Sequence, residues 1–190
     1  MATTIVMVRH GETDWNRERR FQGHADTPLN EAGRAQSAAL ADALAGDDLT
    51  AVYTSPLRRA AETAEIVGAR LGLHVHPLEA LREIDVGEWQ GLTVDEVKER
   101  HPELEDWRSG WHGGETYETL SARVIPALVA LAADHANERV LAVTHAGPMR
   151  AALAAAMGLS YDEARPLIGP LDNCVAFRFA VRDGKLEQVH

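Results

Sequence analysis

"TTIVMVRHGETDWN", residues 3–16, is the stretch on which the fold turns. Residues 5–8 are all apolar, and the run stops abruptly at Arg9-His10-Gly11. An unbroken apolar run of this length reads as a strand buried on both faces. Such a strand is a rigid post, so the polar residues at its tip are either a simple exit or a chemical site held still. Two more Val-rich runs share the form. One spans 50–54, and the other spans 139–144 and ends directly in His145-Ala146-Gly147-Pro148. A fourth candidate strand lies at 74–78. Strands at 175–181 and 185–189 flank Asp183-Gly184, a strong hairpin signal.

Helical stretches separate the strands. In residues 27–45, Asn30 is the expected N-cap, Glu31 lies in the first turn, and Leu40 and Leu44 share one face. In residues 55–72, Ser55 is the expected N-cap, Pro56 the first helical residue and Gly72 the stop. Thr93 with Glu96, and Ser160 with Glu163, make capping-box patterns. A long helix is expected over 115–135, with Leu120, Val124, Leu128 and Leu131 inward and a kink at Pro126. Pro148 should open a helix that runs through Met157. Strands alternating with helices imply an α/β fold, three layers in α/β/α order with a mostly parallel central sheet. All 190 residues read as a single domain, with 81–114, rich in Trp, Gly and charge, as a partly helical excursion over the sheet.

Composition narrows the function classes. A net charge of -10 speaks against nucleic acid as a bulk electrostatic partner. It does not oppose a small anionic ligand, since a local basic pocket is screened from charges beyond roughly 8 Å. The one cysteine, Cys174, forms no intramolecular disulfide and reads as a small buried hydrophobe. No signal peptide and no membrane-spanning run is read from the chain, so a cytoplasmic protein is expected, with no membrane partner.

Three basic tips carry the chemistry. The first strand ends in Arg9-His10, the second leads into a helix whose first turn holds Arg58, and the 139–144 strand ends in His145. Strands joined by right-handed crossovers run parallel, so these tips share one edge. That carboxyl edge is where ligands bind in open α/β sheets. Arg58 is disfavoured by about 0.3–1 kcal/mol beside the positive end of a helix dipole, and an anion bound there would reverse the sign. Arginines hold phosphate or carboxylate oxygens, a neutral imidazole can attack phosphorus, and a second imidazole can stabilise the equatorial oxygens. The chain has no P-loop lysine motif, no metal-binding His-x-Glu or Cys-pair pattern and no aspartate cluster for Mg²⁺. The basic tips would stand in for a metal. A departing alkoxide then needs a general acid, for which Glu83, Asp85 and Glu88 are equal candidates.

"VRHGETDWN", "RFQGHADTPLNEAGRAQ", "TSPLRRAAETA", "LREIDVGEWQGLT", "HGGET" and "VTHAGPMRA" occur here in the order seen in the histidine phosphatase superfamily, the phosphoglycerate mutase-like fold. The resemblance spans most of the chain. It implies that His10 is the nucleophile that becomes phosphohistidine, with Arg9, Arg58 and His145 completing the phosphate pocket. It lifts Glu83 above the other carboxylates as proton donor and later as base for water. It implies phosphate contact for Asn16, a substrate-bordering loop at Gln22 and Gly23, and a backbone N–H at Ala146 that reaches the phosphate. Ala146 stands where relatives often carry Gly, a departure that narrows the pocket. Residues 112–116 resemble a helix-start motif near the substrate entrance. No metal and no organic cofactor are implied.

The expected activity is metal-independent hydrolysis of a small phosphorylated metabolite. The alternative is a cofactor-dependent phosphoglycerate mutase. The mutases resemble one another in a Glu-Arg-His-Tyr-Gly stretch and an insertion with paired arginines, whereas here residues 83–89 read Glu-Ile-Asp-Val-Gly-Glu-Trp and no Arg-Arg pair follows before Gly114. A non-catalytic binding member is a third reading. A homodimer is allowed for. Trp89, Trp111 and His112 could stack on substrate, while Trp107 is expected to pack. His24, His74, His76, His101, His135 and His190 carry no ligand spacing and are assigned to surface or packing.

Overall fold

The computed structural model describes residues 2–103 and 113–189. Trp107, Trp111 and His112 lie outside the described residues. The six strands are β1 (Thr4–Arg9), β2 (Leu49–Thr54), β3 (Val75–Pro77), β4 (Arg139–Thr144), β5 (Ala176–Arg182) and β6 (Lys185–Val189), in one sheet ordered β3-β2-β4-β1-β5-β6. The first four in that order are mutually parallel, and β5 and β6 add an antiparallel edge. The hairpin turn falls at Asp183-Gly184, both at positive φ (49° and 72°), as a two-residue turn with this twist requires.

Alternation along the central strands makes the three layers. Ile5 and Met7 of β1, with Val140 and Ala142 of β4, face one core. Val6 and Val8, with Leu141 and Val143, face the other. The two central strands therefore read as continuous apolar runs. The second core is closed by α2 (Glu31–Leu44) and α3 (Arg58–Leu71), through Leu40, Leu44, Ala60, Ala64 and Val67. The first is closed by α5 (Tyr117–Asp134) and α6 (Ala146–Met157), through Leu120, Val124, Leu128 and Met149. Three shorter α-helices are α1 (Asp14–Arg17), α4 (Val94–Arg100) and α7 (Tyr161–Ala164), and two 3-10 turns lie at Glu79–Leu81 and Gly87–Trp89. Both expected capping boxes form, Thr93 with Glu96 and Ser160 with Glu163, and Asn30 caps α2 through its bond from the Gly33 amide (2.8 Å).

Three helix starts differ from expectation. α3 begins at Arg58, with Leu57 at the cap position in extended conformation (ψ 132°), although Ser55 Oγ accepts from the Leu57 amide (3.3 Å) as well as meeting His145 Nε2 (2.7 Å). α5 begins at Tyr117, because Glu115 turns away to pair with Arg123 (2.7 Å). α6 begins two residues before Pro148, which then sits in a first turn whose amides have no helical partner to lose. Within 81–114, residues Leu81, Ile84, Val86, Trp89 and Val97 are buried in the α5–α6 core. Trp89 packs there against Phe21 (5.7 Å between ring centroids), so its ring is structural. Cys174, expected buried, is only partly so; burial still pushes its thiol up to about 11.

Candidate active site

The register of the sheet puts the tips side by side. Arg9 pairs with Thr144 across β1 and β4, the His10 amide donates to the Thr144 carbonyl (2.9 Å), and the Ser55 amide beyond β2 donates to Val143 (3.0 Å). His10 and His145 therefore meet with ring centroids 5.1 Å apart. Both rings are buried, His10 at 2% exposure. His10 lies at the floor of a cleft of about 210 Å³ whose lining includes Arg9, Arg59, Glu83 and Arg150; His145 is fully buried behind it, next to the lining residue Ala146.

The two imidazoles are fixed in different ways. His10 Nδ1 lies 2.7 Å from the Gly11 carbonyl, which only accepts, so Nδ1 carries the proton. Nε2 keeps its lone pair and accepts from Arg59 Nε (3.2 Å). Burial, then the Arg59 and Arg9 charges, hold the His10 pKa well below its ordinary value; the bond to Gly11 opposes them. His145 Nε2 is 2.7 Å from Ser55 Oγ, which itself accepts from the Leu57 amide (3.3 Å). With the Ser55 hydroxyl donating to Nε2, the buried Nδ1, which has no partner among the described residues, carries the N–H. Burial, then the Arg59 charge, keeps this ring neutral as well.

The arginine contributed by α3 is Arg59, not Arg58. Successive residues on a helix point about 100° apart, so the two cannot face the same side. Arg58 is exposed, and its amide is bonded by Asp26 (2.7 Å). The anion that its helix start calls for is therefore the protein's own carboxylate. Arg59 is fully buried, braced on the carbonyls of Ala25 (2.7 Å) and Gly23 (2.9 Å), which leaves Nε–H for His10. Burial lowers its pKa to about 10, still cationic at neutral pH. Arg9 is braced on the Leu171 carbonyl (2.6 Å), and its buried Nε has no partner among the described residues.

Glu83 joins the cleft from the loop after β3. Its Oε1 accepts from the Ile84 and Gly147 amides, each at 2.9 Å. Its backbone carbonyl is gripped by His24 Nε2 (2.8 Å) and Arg123 (3.0 Å). A Cβ at Gly147 would run into Glu83 Oε1, so any side chain there must displace the carboxylate. The two other candidates fall away: Asp85 turns to the Gly87 amide (2.9 Å), and Glu88 is exposed. Asn16, Gln22, Gly23 and Ala146 all line the cleft. Asn16 Oδ1 accepts from the Thr13 amide (3.1 Å), so its NH₂ remains to donate. Gln22 Oε1 accepts from Thr27 (2.6 Å).

Sequence reasoning missed Arg59, Gly147, His24, Asn173 and Arg150. Asn173 donates to the His10 carbonyl (2.7 Å) from a turn 163 residues away, a contact that no local spacing encodes. Arg59 alone had a local signal, the doubled arginine at the start of a helix.

A neutral imidazole with its lone pair facing a basic cleft, beside a carboxyl group, is an arrangement for transferring a phosphoryl group to nitrogen. The chain belongs to the histidine phosphatase superfamily (branch 1), which it matches over residues 5–190. It is 40% identical over 171 residues to phosphoglycerate mutase-like protein 4 of Arabidopsis thaliana, covering 85% of this chain and 71% of that one. It is 35% identical over 165 residues to phosphoserine phosphatase 1 of Hydrogenobacter thermophilus, covering 84% and 78%. A mycobacterial glucosyl-3-phosphoglycerate phosphatase solved with VO3 superposes with a TM-score of 0.87 at 34% identity, covering 98% of this chain and 96% of that chain. Within the superfamily the chain falls in the phosphatase branch, among phosphoric monoester hydrolases.

Proposed function

We propose that this chain hydrolyses a small phosphomonoester through a phosphohistidine formed at His10 Nε2. The observation that carries the reading is the fixed tautomer: Nδ1–H on Gly11, and an unprotonated Nε2 at the cleft floor, its lone pair held on Arg59 Nε–H. Arg9, Arg59, the His145 Nδ1–H, the Asn16 amide and the Ala146 N–H at the start of α6 are the donors to the phosphoryl oxygens. Nε2 forms a bond to phosphorus as the ester oxygen departs, and Glu83 gives that oxygen its proton. Glu83, now a carboxylate, takes a proton from water as the water oxygen attacks phosphorus. The P–N bond breaks, His10 regains its lone pair, and Glu83 is again the acid.

The cleft supports a small leaving group, since about 210 Å³ is below the roughly 300–1,000 Å³ of drug-sized sites. Relatives named for phosphoserine and for glucosyl-3-phosphoglycerate support a phosphorylated metabolite of that kind. Among the described residues no cluster of three or more His, Cys, Asp and Glu side chains could hold a metal ion. Also among them, no helix is long and apolar enough to cross a membrane. A cytoplasmic location and a homodimer are proposed alongside. Cell fractionation reads the first and analytical ultracentrifugation the second.

The test is turnover of p-nitrophenyl phosphate and a panel of metabolite phosphates with EDTA present. The wild type should release phosphate and form a base-stable, acid-labile adduct, and His10→Ala should do neither. Retained activity in His10→Ala would remove the nucleophile from His10. Isomerisation of phosphoglycerate without release of phosphate would favour the mutase reading.

A further inference from the structure

The cleft holds one more cation than the phosphoryl chemistry uses. Four arginines line it: Arg9, Arg20, Arg59 and Arg150. Arg20 is neutralised, at 2.8 Å from Glu18 and 2.9 Å from Glu96. Arg9 and Arg59 are braced on backbone carbonyls at the floor, beside His10. Arg150 has no hydrogen bond and no ion pair with any described residue, although it is only partly exposed. A guanidinium half-buried without an acceptor carries a desolvation cost that a bound anion would offset.

Its place on α6 says which part of a ligand it meets. Arg150 lies three and four residues beyond Gly147 and Ala146, so it shares their face of the helix, the one that borders the cleft. It stands one turn beyond the α6 N-terminus and lines the cleft together with Tyr117 and Tyr161, whose stacked rings (centroids 3.4 Å apart) feel its charge. Burial holds both phenols in the protonated form, so neither ring supplies the missing counter-charge.

We propose that Arg150 is the subsite for a carboxylate on the leaving group, so that the preferred substrates are phosphomonoesters of small hydroxy acids, including hydroxy amino acids. This rests on the phosphatase reading above and names its substrate class. Charge balance supports it. Among the charged groups that line the cleft, with Glu83 protonated to act as acid and Arg20 paired, Arg9 and Arg59 match a phosphate dianion and one positive charge remains at Arg150; Asp172 and Asp26, which face Arg9 and Arg59, lie outside that lining. One planar guanidinium matches one planar carboxylate in charge and in bidentate geometry.

The experiment compares kcat/KM within pairs that differ mainly by the carboxylate: 3-phosphoglycerate against glycerol 3-phosphate, and phosphoserine against phosphoethanolamine. The wild type should favour the acid in each pair, by about tenfold or more. In Arg150→Met and Arg150→Gln that preference should collapse, mainly through KM, and Arg150→Lys should restore part of it. Circular dichroism and melting temperature report whether each variant folds, and the wild-type preference tests the proposal even if one does not. No preference in the wild type, or a preference that survives in a folded Arg150→Met, overturns it. Failure of the wild type to hydrolyse even p-nitrophenyl phosphate would instead overturn the phosphatase reading.

Discussion

At the scale of single residues, reactivity here depends on which atom carries a proton. His10 is held as the Nδ1–H tautomer by one carbonyl, and Arg59 marks the lone pair on Nε2. Arg59 also has a geometry that lysine cannot reproduce, since three of its nitrogens reach three different acceptors. Arg59→Lys is therefore expected to lower kcat/KM by about 10²–10³-fold. Arg58→Lys, changed at an exposed neighbour, should alter it by about twofold or less, measured in the same assay. Glu83→Gln keeps an acceptor for the Ile84 and Gly147 amides but cannot give up a proton. Its kcat/KM should fall by about 10²–10⁴-fold for alkyl phosphates and much less for p-nitrophenyl phosphate, whose leaving group needs little protonation. Equal losses on both substrates would move the acid elsewhere.

At the scale of elements, the loop after β1 is clamped by backbone as well as by side chains. The Asn30 amide donates to the Glu12 carbonyl (3.0 Å), and the start of α2 presses against the loop so closely that a Cβ on Gly33 would meet Glu12 O at 2.1 Å. Gly33→Ala must push α2 off the catalytic loop. The expected cost is about 1–3 kcal/mol, read by urea unfolding, with a drop in kcat because His10 adjoins Gly11. The same logic explains the helix starts. Residues 55–58 offered a good N-cap by composition, and Ser55 does accept from the Leu57 amide, but Leu57 stays extended and α3 starts at Arg58. That delay sets the rotation of α3 and decides which of two adjacent arginines enters the cleft. A pattern of cap, proline and glycine locates a helix to within a few residues, and a few residues are enough to exchange one face for another.

At the scale of the whole molecule, two neutral histidines buried under arginines link stability to pH. Their folded pKa values lie well below the ordinary value. Below about pH 6.5 the unfolded chain binds two protons that the folded chain does not. Stability is thus flat with respect to these groups above about pH 6.5. It falls as pH drops toward their folded values, by up to about 1.4 kcal/mol per pH unit for each histidine. Denaturant unfolding at about pH 7.5 and about pH 5.5, on either side of the unfolded histidine pKa, checks this. Activity should behave differently, because His10 stays neutral in the folded protein. The kcat/KM profile should show no loss from histidine protonation between about pH 7 and about pH 6. Its acid limb should move upward in Arg59→Met, where one of the charges opposing protonation is gone.

The layers and the floor of the site were legible in the order of residues alone. Continuous apolar runs bounded by turn residues make strands buried on both faces. Residues at the tips of parallel strands on one edge must converge, so Arg9, His10 and His145 could be placed together. The hairpin, the caps and the inward face of α5 were readable for the same reason, since each depends on neighbours within a few residues. Three-dimensional packing was needed to choose between Arg58 and Arg59, to single out Glu83 by its bond from Gly147, and to bring Asn173 and His24 to their partners. Those choices depend on helix rotation and on contacts between residues far apart in the chain, and local pattern carries no record of either.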